Sequence, residues 1–323
     1  MLKKYLRFAL AFLVSGLCAG AGAQDFPNRP VRIVVPFEAG APDAIARIVA
    51  QQLTAQTGQT FVVENRPGAN GMIGADAVAK AKPDGYTVLV TSTSITVNPS
   101  IYRKLPYDLA KDLVPVTNLG AVEALLVVVN PSVPAQNLQE FLAFAKKKDS
   151  RVSYGSPGTG NQLHVASELF NVRAGLGMVH IPYKGAGPAA TALLSGQIQL
   201  LVTTPPLVLA HVRAGKLRAL AYTHNKRASY LPDVPTMNEA GFPGFEVDGG
   251  WFGMFAPAGT PREIVARLQA EVKTAFNNPQ VRERIVALGM EPVGDSPADF
   301  KAYVDAEVRK YAERVRLTGI QPE

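Results

Sequence analysis

The residues of this sequence best suited to chemistry lie in a glycine-rich turn. Residues 152–168 read VSYGSPGTGNQLHVASE, a short apolar strand followed by a turn that contains Gly158 and Gly160. Glycine has no Cβ, so the backbone of such a turn can approach a small ligand closely. A helix is predicted to open at Asn161 or Gln162, and its first N–H groups have no partner within the helix and attract an anion such as a carboxylate or phosphate. The alternative to a binding site is a strand-to-helix turn that is rich in glycine but binds no ligand.

Further polar residues follow other predicted strands. The loop 37–43 comes after a buried strand at 30–36, and the polar run 91–94 ends a strand that begins at Tyr86. Ligands of open α/β sheets bind beyond the carboxyl ends of the strands. The predicted ligand-binding residues are Phe37, Gly40, Ala41, Asp43, Ser92, Thr93, Ser156, Gly158, Thr159, Gly160, Asn161, His164, Tyr183, Lys184, Thr203 and Thr204.

Three of these side chains also have roles that need no ligand. Asp43 lies at a predicted helix start, where a carboxylate favours the helix dipole and caps free N–H groups. His164 falls in the first turn of its helix, either near a ligand or bonded to a neighbouring backbone group. Lys184 either pairs with a carboxylate or is solvated on its loop.

The sequence lacks the motifs of phosphate-binding loops, serine hydrolases and metal sites. No Gly-Lys-Ser/Thr follows the glycine-rich turn, as a phosphate-binding P-loop requires, and Ser156 does not stand in a Gly-x-Ser-x-Gly motif. The histidines are far apart in the sequence and lack the spacing of metal ligands. They are His164, His180, His211 and His224. We therefore expect no metal, no cofactor and no catalytic site.

Composition places the chain among exported globular proteins. Its 323 residues are 47% apolar, enough for two lobes with sizeable cores, and its net charge of +7 is too weak to indicate nucleic acid. Basic residues at 3, 4 and 7, an apolar run at 8–17 and small residues at 21–23 are typical of a secretory signal peptide. Cleavage is predicted between Ala23 and Gln24.

That cleavage removes Cys18, the single cysteine of the sequence. The mature protein would then have neither disulfides nor thiol catalysis. We expect it to be soluble and exported.

Strands and helices alternate in the first and middle parts of the chain, which predicts parallel strands with helices on both faces. Three helices at 261–276, 279–288 and 297–316 need a core, and the first lobe is their expected host. The chain then crosses between lobes near 120–123 and near 247–250, and such a pair of crossings makes a hinge. The predicted first lobe is 24–121 with 250–323, and the second is 122–249.

A series of short motifs along the mature chain resembles the Bug-type solute receptors, which are the extracytoplasmic binding proteins of tripartite tricarboxylate transporters. The series covers nearly the whole mature chain, and its order makes it specific. Its members are VPF at 35–37 with Gly40 and Asp43, ENRPGANG at 64–71, PDGY at 83–86, YGS at 154–156 with Gly158, Gly160, His164 and Glu168, PYKG at 182–185 with Gly187 and Pro188, GKLRAL at 215–220, and LPDVPT at 231–236.

The resemblance implies a two-lobed α/β periplasmic-binding-protein fold of type II-like form. Each lobe would be a mixed sheet flanked by helices, with a cleft between the lobes and two hinge crossings. It also implies a periplasmic, non-catalytic receptor whose ligand carboxylate is held by residues 37–43 and 156–161, and whose partners are membrane transporter subunits. We expect this receptor to be a monomer. A periplasmic partner of a membrane sensor is the alternative function, and an exported hydrolase is a further one.

The sequence departs from the family pattern twice. The loop Gly40-Ala41-Pro42-Asp43 is one residue shorter than the family's, and Thr203-Thr204 stands where relatives carry an Asp-Asn-like pair. No acidic side chain is then expected to face the cleft at that point. We therefore expect plain dicarboxylates or aromatic acids to be favoured over ligands with a positive amine.

Overall fold

The fold is built on two separate five-stranded sheets. The computed structural model describes residues 26–38, 40–147 and 149–322, so the predicted signal peptide and its cleavage site lie outside the described residues. The strands are β1 (Val31–Val35), β2 (Phe61–Asn65), β3 (Thr87–Ser92), β4 (Leu113–Val122), β5 (Leu126–Val129), β6 (Ser153–Ser156), β7 (Val179–Pro182), β8 (Leu200–Thr203), β9 (Arg218–Tyr222) and β10 (Gly250–Pro257).

Helices follow most of these strands. They are α1 (Ala41–Thr57), α2 (Met72–Ala79), α3 (Ser94–Ile101), α4 (Leu109–Asp112), α5 (Leu138–Ala145), α6 (Gln162–Ala174), α7 (Ala186–Leu194), α8 (Pro205–Arg213), α9 (Arg262–Ala275), α10 (Pro279–Ala287) and α11 (Pro297–Thr318). Among the described residues, no helix combines the length and the hydropathy needed to span a membrane.

The first sheet has the strand order β2-β1-β3-β10-β4, and the second has β7-β6-β8-β5-β9. In each sheet three neighbouring strands are parallel. In the first sheet β10 pairs antiparallel with both β3 and β4, and in the second β5 pairs antiparallel with both β8 and β9. The sheets are therefore mixed, as the family resemblance implies, whereas strand alternation alone indicated parallel sheets.

The predicted helix faces pack as expected on the first sheet. Ala46, Val49 and Leu53 of α1 are buried against β1, and Leu268 and Val272 of α9 join the same core. Gly58 ends α1 in the left-handed conformation (φ 72°), which glycine adopts without a steric penalty. Residues of α9 and α10 pack in the core of the first sheet, and we propose that these two helices belong to the first lobe.

The chain passes between the sheets twice. The first passage joins β4 to β5 after Val122, and the second joins β9 to β10 before Gly250. These strands occupy one side of each sheet, so the hinge lies there and the parallel strands stand on the other side. The two-lobed fold with two crossings is confirmed, and we propose lobe boundaries at these passages.

Helix α11 also touches the second lobe, which the sequence did not predict. Tyr311 and Val315 form a small core with Val97 and Ile101 of α3 and with Val165 of α6. Beside it, Lys310 bonds Asp248 at 2.9 Å and also pairs with Glu307, whose carboxylate accepts from the Trp251 indole N–H at 3.2 Å. The last helix therefore links the second crossing to both lobes.

Candidate functional site

The carboxyl ends of the two sets of parallel strands face each other across the lobes. The β6–α6 loop of the second lobe contacts residues that follow β2 and β3 of the first. Asn70 donates to the Gly160 carbonyl at 3.0 Å, and Asn161 donates to the Ser94 hydroxyl at 3.2 Å. Gln162 also donates to the Gly249 carbonyl at the second crossing at 2.6 Å. This edge is where the sequence places most candidate residues.

In the first lobe the site is built on the start of α1. Gly40 is the N-cap residue and no side chain caps the helix. The first bond of the helix is Ala44 N–H to Gly40 C=O at 2.9 Å, so the N–H groups of Ala41 and Asp43 have no partner among the described residues. Both Gly40 and Ala41 are exposed, and Phe37 is half-buried beside them. The α1 terminus therefore offers two unpaired amide donors.

Asp43 does not cap α1, and the capping prediction is wrong. It lies in the first turn of the helix, and its carboxylate accepts from Arg47 Nε at 2.9 Å and from Asn65 Nδ2 at 2.8 Å. Burial alone would raise the pKa of Asp43, but these two partners outweigh burial and lower it. Asn65 also donates to the Phe37 carbonyl at 3.0 Å. Through Asn65, Asp43 therefore stabilises the loop that contains Phe37, and its charge is neutralised by Arg47 instead of being offered to a ligand.

The two polar residues after β3 have different surroundings. Ser92 is half-buried, and its hydroxyl accepts from Ser94 N–H at 3.4 Å. Thr93 is fully buried, and its hydroxyl accepts from Trp251 N–H at 2.7 Å. Thr93 therefore joins β3 to β10 at the crossing, and its predicted contact with a ligand is not supported by this geometry.

In the second lobe, the two glycine N–H groups of the loop before α6 are satisfied internally, whereas Gln162 and His164 at the start of α6 keep N–H groups without a partner among the described residues. Gly158 N–H donates to the Ser156 hydroxyl at 3.2 Å, and Gly160 N–H donates to His164 Nδ1 at 3.2 Å. Asn161 caps α6 by accepting from Leu163 N–H at 2.9 Å. Within this loop the Thr159 N–H is left without a partner among the described residues.

A pair of stacked imidazoles supports this loop. The ring centroids of His164 and His180 are 3.8 Å apart and the two ring planes are nearly parallel, at 13° to each other. Tyr154 stacks on His180 with a centroid distance of 5.1 Å. Ser156 Oγ lies 2.6 Å from His180 Nε2. The histidines are thus neighbours in space although distant in sequence. His180 was missed because its contact depends on the β6–β7 register, which no local pattern shows.

Burial keeps both imidazoles neutral. It lowers the pKa of His164 to about 3, with a contribution from His180, and it lowers the pKa of His180 to about 4. The backbone-bonded alternative for His164 is the arrangement found. The Ser156–His180 contact resembles a nucleophile and base, but Ser156 is fully buried and its hydroxyl also lies 3.1 Å from the Gly158 carbonyl. A substrate carbonyl has no access to that oxygen.

The second lobe offers further free donors at the start of α7. Gly185 is the N-cap without a side-chain cap, and the first helical bond is Ala189 N–H to Gly185 C=O at 3.4 Å. Ala186 and Gly187 therefore carry unpaired N–H groups among the described residues. Helix α7 begins at Ala186.

Tyr183 and Lys184 lead into this terminus. The N–H of Tyr183 donates to the Ser156 carbonyl at 2.9 Å, and its half-buried ring lies against Gly155. Lys184 is exposed and makes no ion pair with any described residue. A lysine so placed contributes an uncompensated positive charge near the α7 terminus.

The start of α8 differs from the other two termini. Pro205 and Pro206 occupy its first two positions and carry no N–H, while Leu207 N–H donates to the Thr204 carbonyl at 3.2 Å. Thr203 is buried in β8, and Thr204 is half-buried with a hydroxyl that makes no cap bond. This α8 corner, residues 203–206, therefore presents hydroxyl groups and no carboxylate.

Among the described residues, no group of three or more His, Cys, Asp or Glu side chains is placed to hold a metal ion.

Two mixed α/β sheets, joined by two crossings and meeting at helix termini, define the class of two-lobed solute-binding proteins. Residues 45–319 match the model of the tripartite tricarboxylate transporter family receptor, TctC, and the chain belongs to this family. The resemblance noted from the sequence motifs is thereby confirmed.

Individual relatives agree with this assignment. The chain is 39% identical to protein BugT of Bordetella pertussis over 308 residues, 94% of each chain. It is similar to the structure of R. palustris Rpa4515 with adipate, at 35% identity and a TM-score of 0.86 over 93% of this chain and 100% of that one. The structure of MatC from Rhodopseudomonas palustris with bound malate is 32% identical, with a TM-score of 0.82 over 90% of this chain and 100% of that one.

Proposed function

We propose that this receptor captures a small carboxylate between its two lobes. The observation that carries the proposal is the pair of uncapped helix termini, α1 in the first lobe and α7 in the second, which follow the parallel strands β1 and β7. Each terminus begins at a glycine, follows a parallel strand and keeps two N–H groups without a partner among the described residues. Lys184 adds a cation on the second-lobe side. Adipate and malate in the two related structures are ligands of the same chemical kind.

The available contacts are of the right size for a receptor. Each helix terminus contributes about 0.3–2 kcal/mol to anion binding, and each charge-assisted hydrogen bond contributes about 1.5–3 kcal/mol. Micromolar affinity needs about 8 kcal/mol net, so three or four such contacts reach it after the cost of closure. Because only the closed form gives the ligand contacts from both lobes, the ligand shifts the balance toward closure.

The α8 corner favours ligands without an amine. Thr203 and Thr204 place hydroxyls there and no carboxylate, and in the first lobe the carboxylate of Asp43 is already occupied by Arg47 and Asn65. An ammonium group at the α8 corner would find no anionic partner among these residues and would lose its hydration. We therefore propose plain dicarboxylates or aromatic acids as the ligand class.

A thermal-shift panel followed by calorimetry tests this proposal. Succinate, adipate, malate and benzoate are compared with aspartate and glutamate, and with the uncharged diamides of succinate and adipate. We expect a larger rise in Tm with the plain acids than with the amino acids, and none with the diamides. An equal or larger response to aspartate would contradict the ligand class. Absence of any response across a broad organic-acid library would contradict the receptor proposal itself.

We propose that the loaded receptor acts in the periplasm and delivers its ligand to membrane subunits of a tripartite tricarboxylate transporter. The family assignment and the signal-peptide pattern at residues 1–23 support this role. Pull-down from membranes with and without ligand distinguishes it from presentation to a membrane sensor, according to which membrane protein is recovered. The expected monomer is checked by sedimentation in the same buffers.

An exported hydrolase remains the alternative, because Ser156 and His180 are in hydrogen-bond contact. The burial of Ser156 argues against it. Incubating ester and amide derivatives of the bound acid with protein at high concentration decides the matter. We expect no turnover above that of a Ser156→Ala variant, and serine-dependent turnover would overturn the binding-only function.

A further inference from the structure

A second cavity lies in the first lobe, apart from the cleft between the lobes. It is open to solvent on one side, has a volume of about 530 Å³ and is bordered by the end of α3, the loop before β4, the start of β4 and one face of α11. Leu113 lines it, at the opposite end of β4 from the crossing at Val122. A strand of this length spans about 30 Å. None of the candidate cleft residues lines this cavity.

Most of the cavity wall is apolar. Val304 and Val308 project from successive turns of α11, and they face Leu105, Leu109 and Leu113 on the other side. Val304 and Leu113 are buried, whereas Leu105, Leu109 and Val308 are half-buried. The volume lies in the range of small-molecule sites, about 300–1,000 Å³, which are mostly apolar with a few placed polar groups. The cavity therefore suits a compact apolar group.

The charges at the rim leave one cation without a partner. Lys301 pairs with Asp305 at 2.7 Å, and Asp108 pairs with Lys111 at 2.8 Å. Arg309 also lines the cavity, is exposed, and makes no ion pair or hydrogen bond with a described residue. An occupant with a negative group next to its apolar part would match this rim.

We propose that this cavity binds a small amphipathic monocarboxylate, aliphatic or aromatic. Its apolar body packs between Val304 and Val308 of α11 and the leucines opposite, and its carboxylate pairs with the Arg309 guanidinium. A planar guanidinium binds a carboxylate through two parallel N–H···O bonds, which gives orientation as well as affinity. The site differs from the cleft because it is apolar and uses a side-chain cation, whereas the cleft uses backbone amides. It does not depend on the proposed function.

Methyl NMR on the full mature chain tests the proposal. Leu and Val methyl groups are followed while octanoate, octanol or octylamine is added. We expect saturable shifts at Leu109, Val304 and Val308 with octanoate, and binding at least tenfold weaker with octanol and octylamine, because a charge-assisted hydrogen bond is lost. Arg309→Gln should weaken octanoate binding about tenfold or more and leave octanol binding unchanged.

Arg316→Gln is the matched control, since Arg316 lies on the same helix, outside the cavity, and pairs with Glu313. It should leave octanoate binding unchanged. Gly160→Val, which is designed to disable the cleft, should also leave the cavity shifts intact. The proposal is overturned by the absence of saturable shifts at these methyl groups, or by equal binding of octanol and octanoate. Shifts at the same methyl groups on addition of the membrane subunits alone would assign the cavity to a protein contact and would also overturn it.

Discussion

Ser156 Oγ lies 2.6 Å from Nε2 of His180, and the His180 ring stacks on His164, which accepts the Gly160 N–H through Nδ1. Both ends of the β6–α6 loop are therefore held by one pair of neutral imidazoles. An imidazole that gains a proton at Nδ1 can no longer accept a hydrogen bond there. The shape of the loop is coupled to the protonation state of this pair.

Stability should fall as the pH is lowered through the range in which unfolded histidine is protonated. The folded pKa of His164 is depressed to about 3, whereas the unfolded pKa is about 6.5. The stabilising contribution of neutral His164 is therefore complete above pH 6.5 and is lost toward pH 3. The loss is at most about 1.4 kcal/mol per pH unit for one such group.

Urea unfolding at pH 7.0, 6.0 and 5.0 measures this slope. His164→Gln should reduce the slope between pH 6.5 and 5, while His211→Gln, a histidine on α8 outside this pair, should leave it unchanged. A wild-type free energy of unfolding that is constant over this range would contradict the prediction.

Gly160→Val should abolish ligand binding and leave both lobes folded. Gly160 has φ 74°, and a Cβ at this position would lie 2.7 Å from Cγ2 of Ile101 in the first lobe. The added side chain would hold the lobes apart at the closing edge. Calorimetry with the best acid of the panel measures the loss, and circular dichroism checks the fold.

The control for backbone strain is Gly175→Val, because Gly175 has φ 62° and no atom lies within 4 Å of its added Cβ. This variant should lose stability without losing affinity. Unchanged affinity in a folded Gly160→Val protein would remove the loop from the closing edge.

Lys310→Met should destabilise the protein by about 2 kcal/mol. The change leaves Glu307, which is 3% exposed, and Asp248 without their shared cation. Burial raises the pKa of Glu307, and Lys310 opposes that rise. Breaking a fully buried pair costs about 3–5 kcal/mol, and the cost here is lower because Lys310 is partly exposed.

Chemical denaturation compares this variant with Lys301→Met, which removes an exposed pair on the same helix and should cost about 0.3–0.5 kcal/mol. Adding Glu307→Gln to Lys310→Met should recover part of the loss. Equal effects of the two lysine substitutions would show that the Lys310 network is not stabilising.

Thr204→Asp should move ligand preference toward amino acids. The substitution places a carboxylate at the α8 corner, where the protein otherwise presents hydroxyls. We expect the aspartate-to-succinate affinity ratio to rise about tenfold, in line with a charge-assisted contact. Thr204→Asn, which has nearly the same shape without the charge, should leave the ratio unchanged. A rise with both variants would assign the effect to shape.

Local patterns were sufficient for most elements but not for contacts between them. The apolar spacing of α1 and the prolines at 279 and 297 predicted their helices well. Helix α3 was missed because Pro99 lies inside it and its start coincides with the polar run at 91–94. Strand β4 was missed because its pairing strand is β10, more than a hundred residues later.

The candidate site shows the same division. The glycines at 40 and 185 mark helix starts that have free amides, and both are visible in the sequence. The internal bonding of the glycine amides in the β6–α6 loop was not predictable, since Ser156 Oγ and His164 Nδ1 accept these N–H groups only once the loop is folded. Asn70 and Ile101 are also invisible as contacts until the lobes are brought together, although the Asn-Gly pair at 70–71 marks a turn.

The small core of Tyr311, Val315 and Val165 bears on how the receptor rests when no ligand is bound. These side chains are at most 5% exposed, and parting the lobes at α6 would hydrate an aromatic ring and two valines. Apolar surface placed in water carries a free-energy penalty of about 25 cal/mol per Å². The contact between the last helix and α6 therefore favours the closed form even without a ligand, and this lowers the free energy that the ligand must supply for closure.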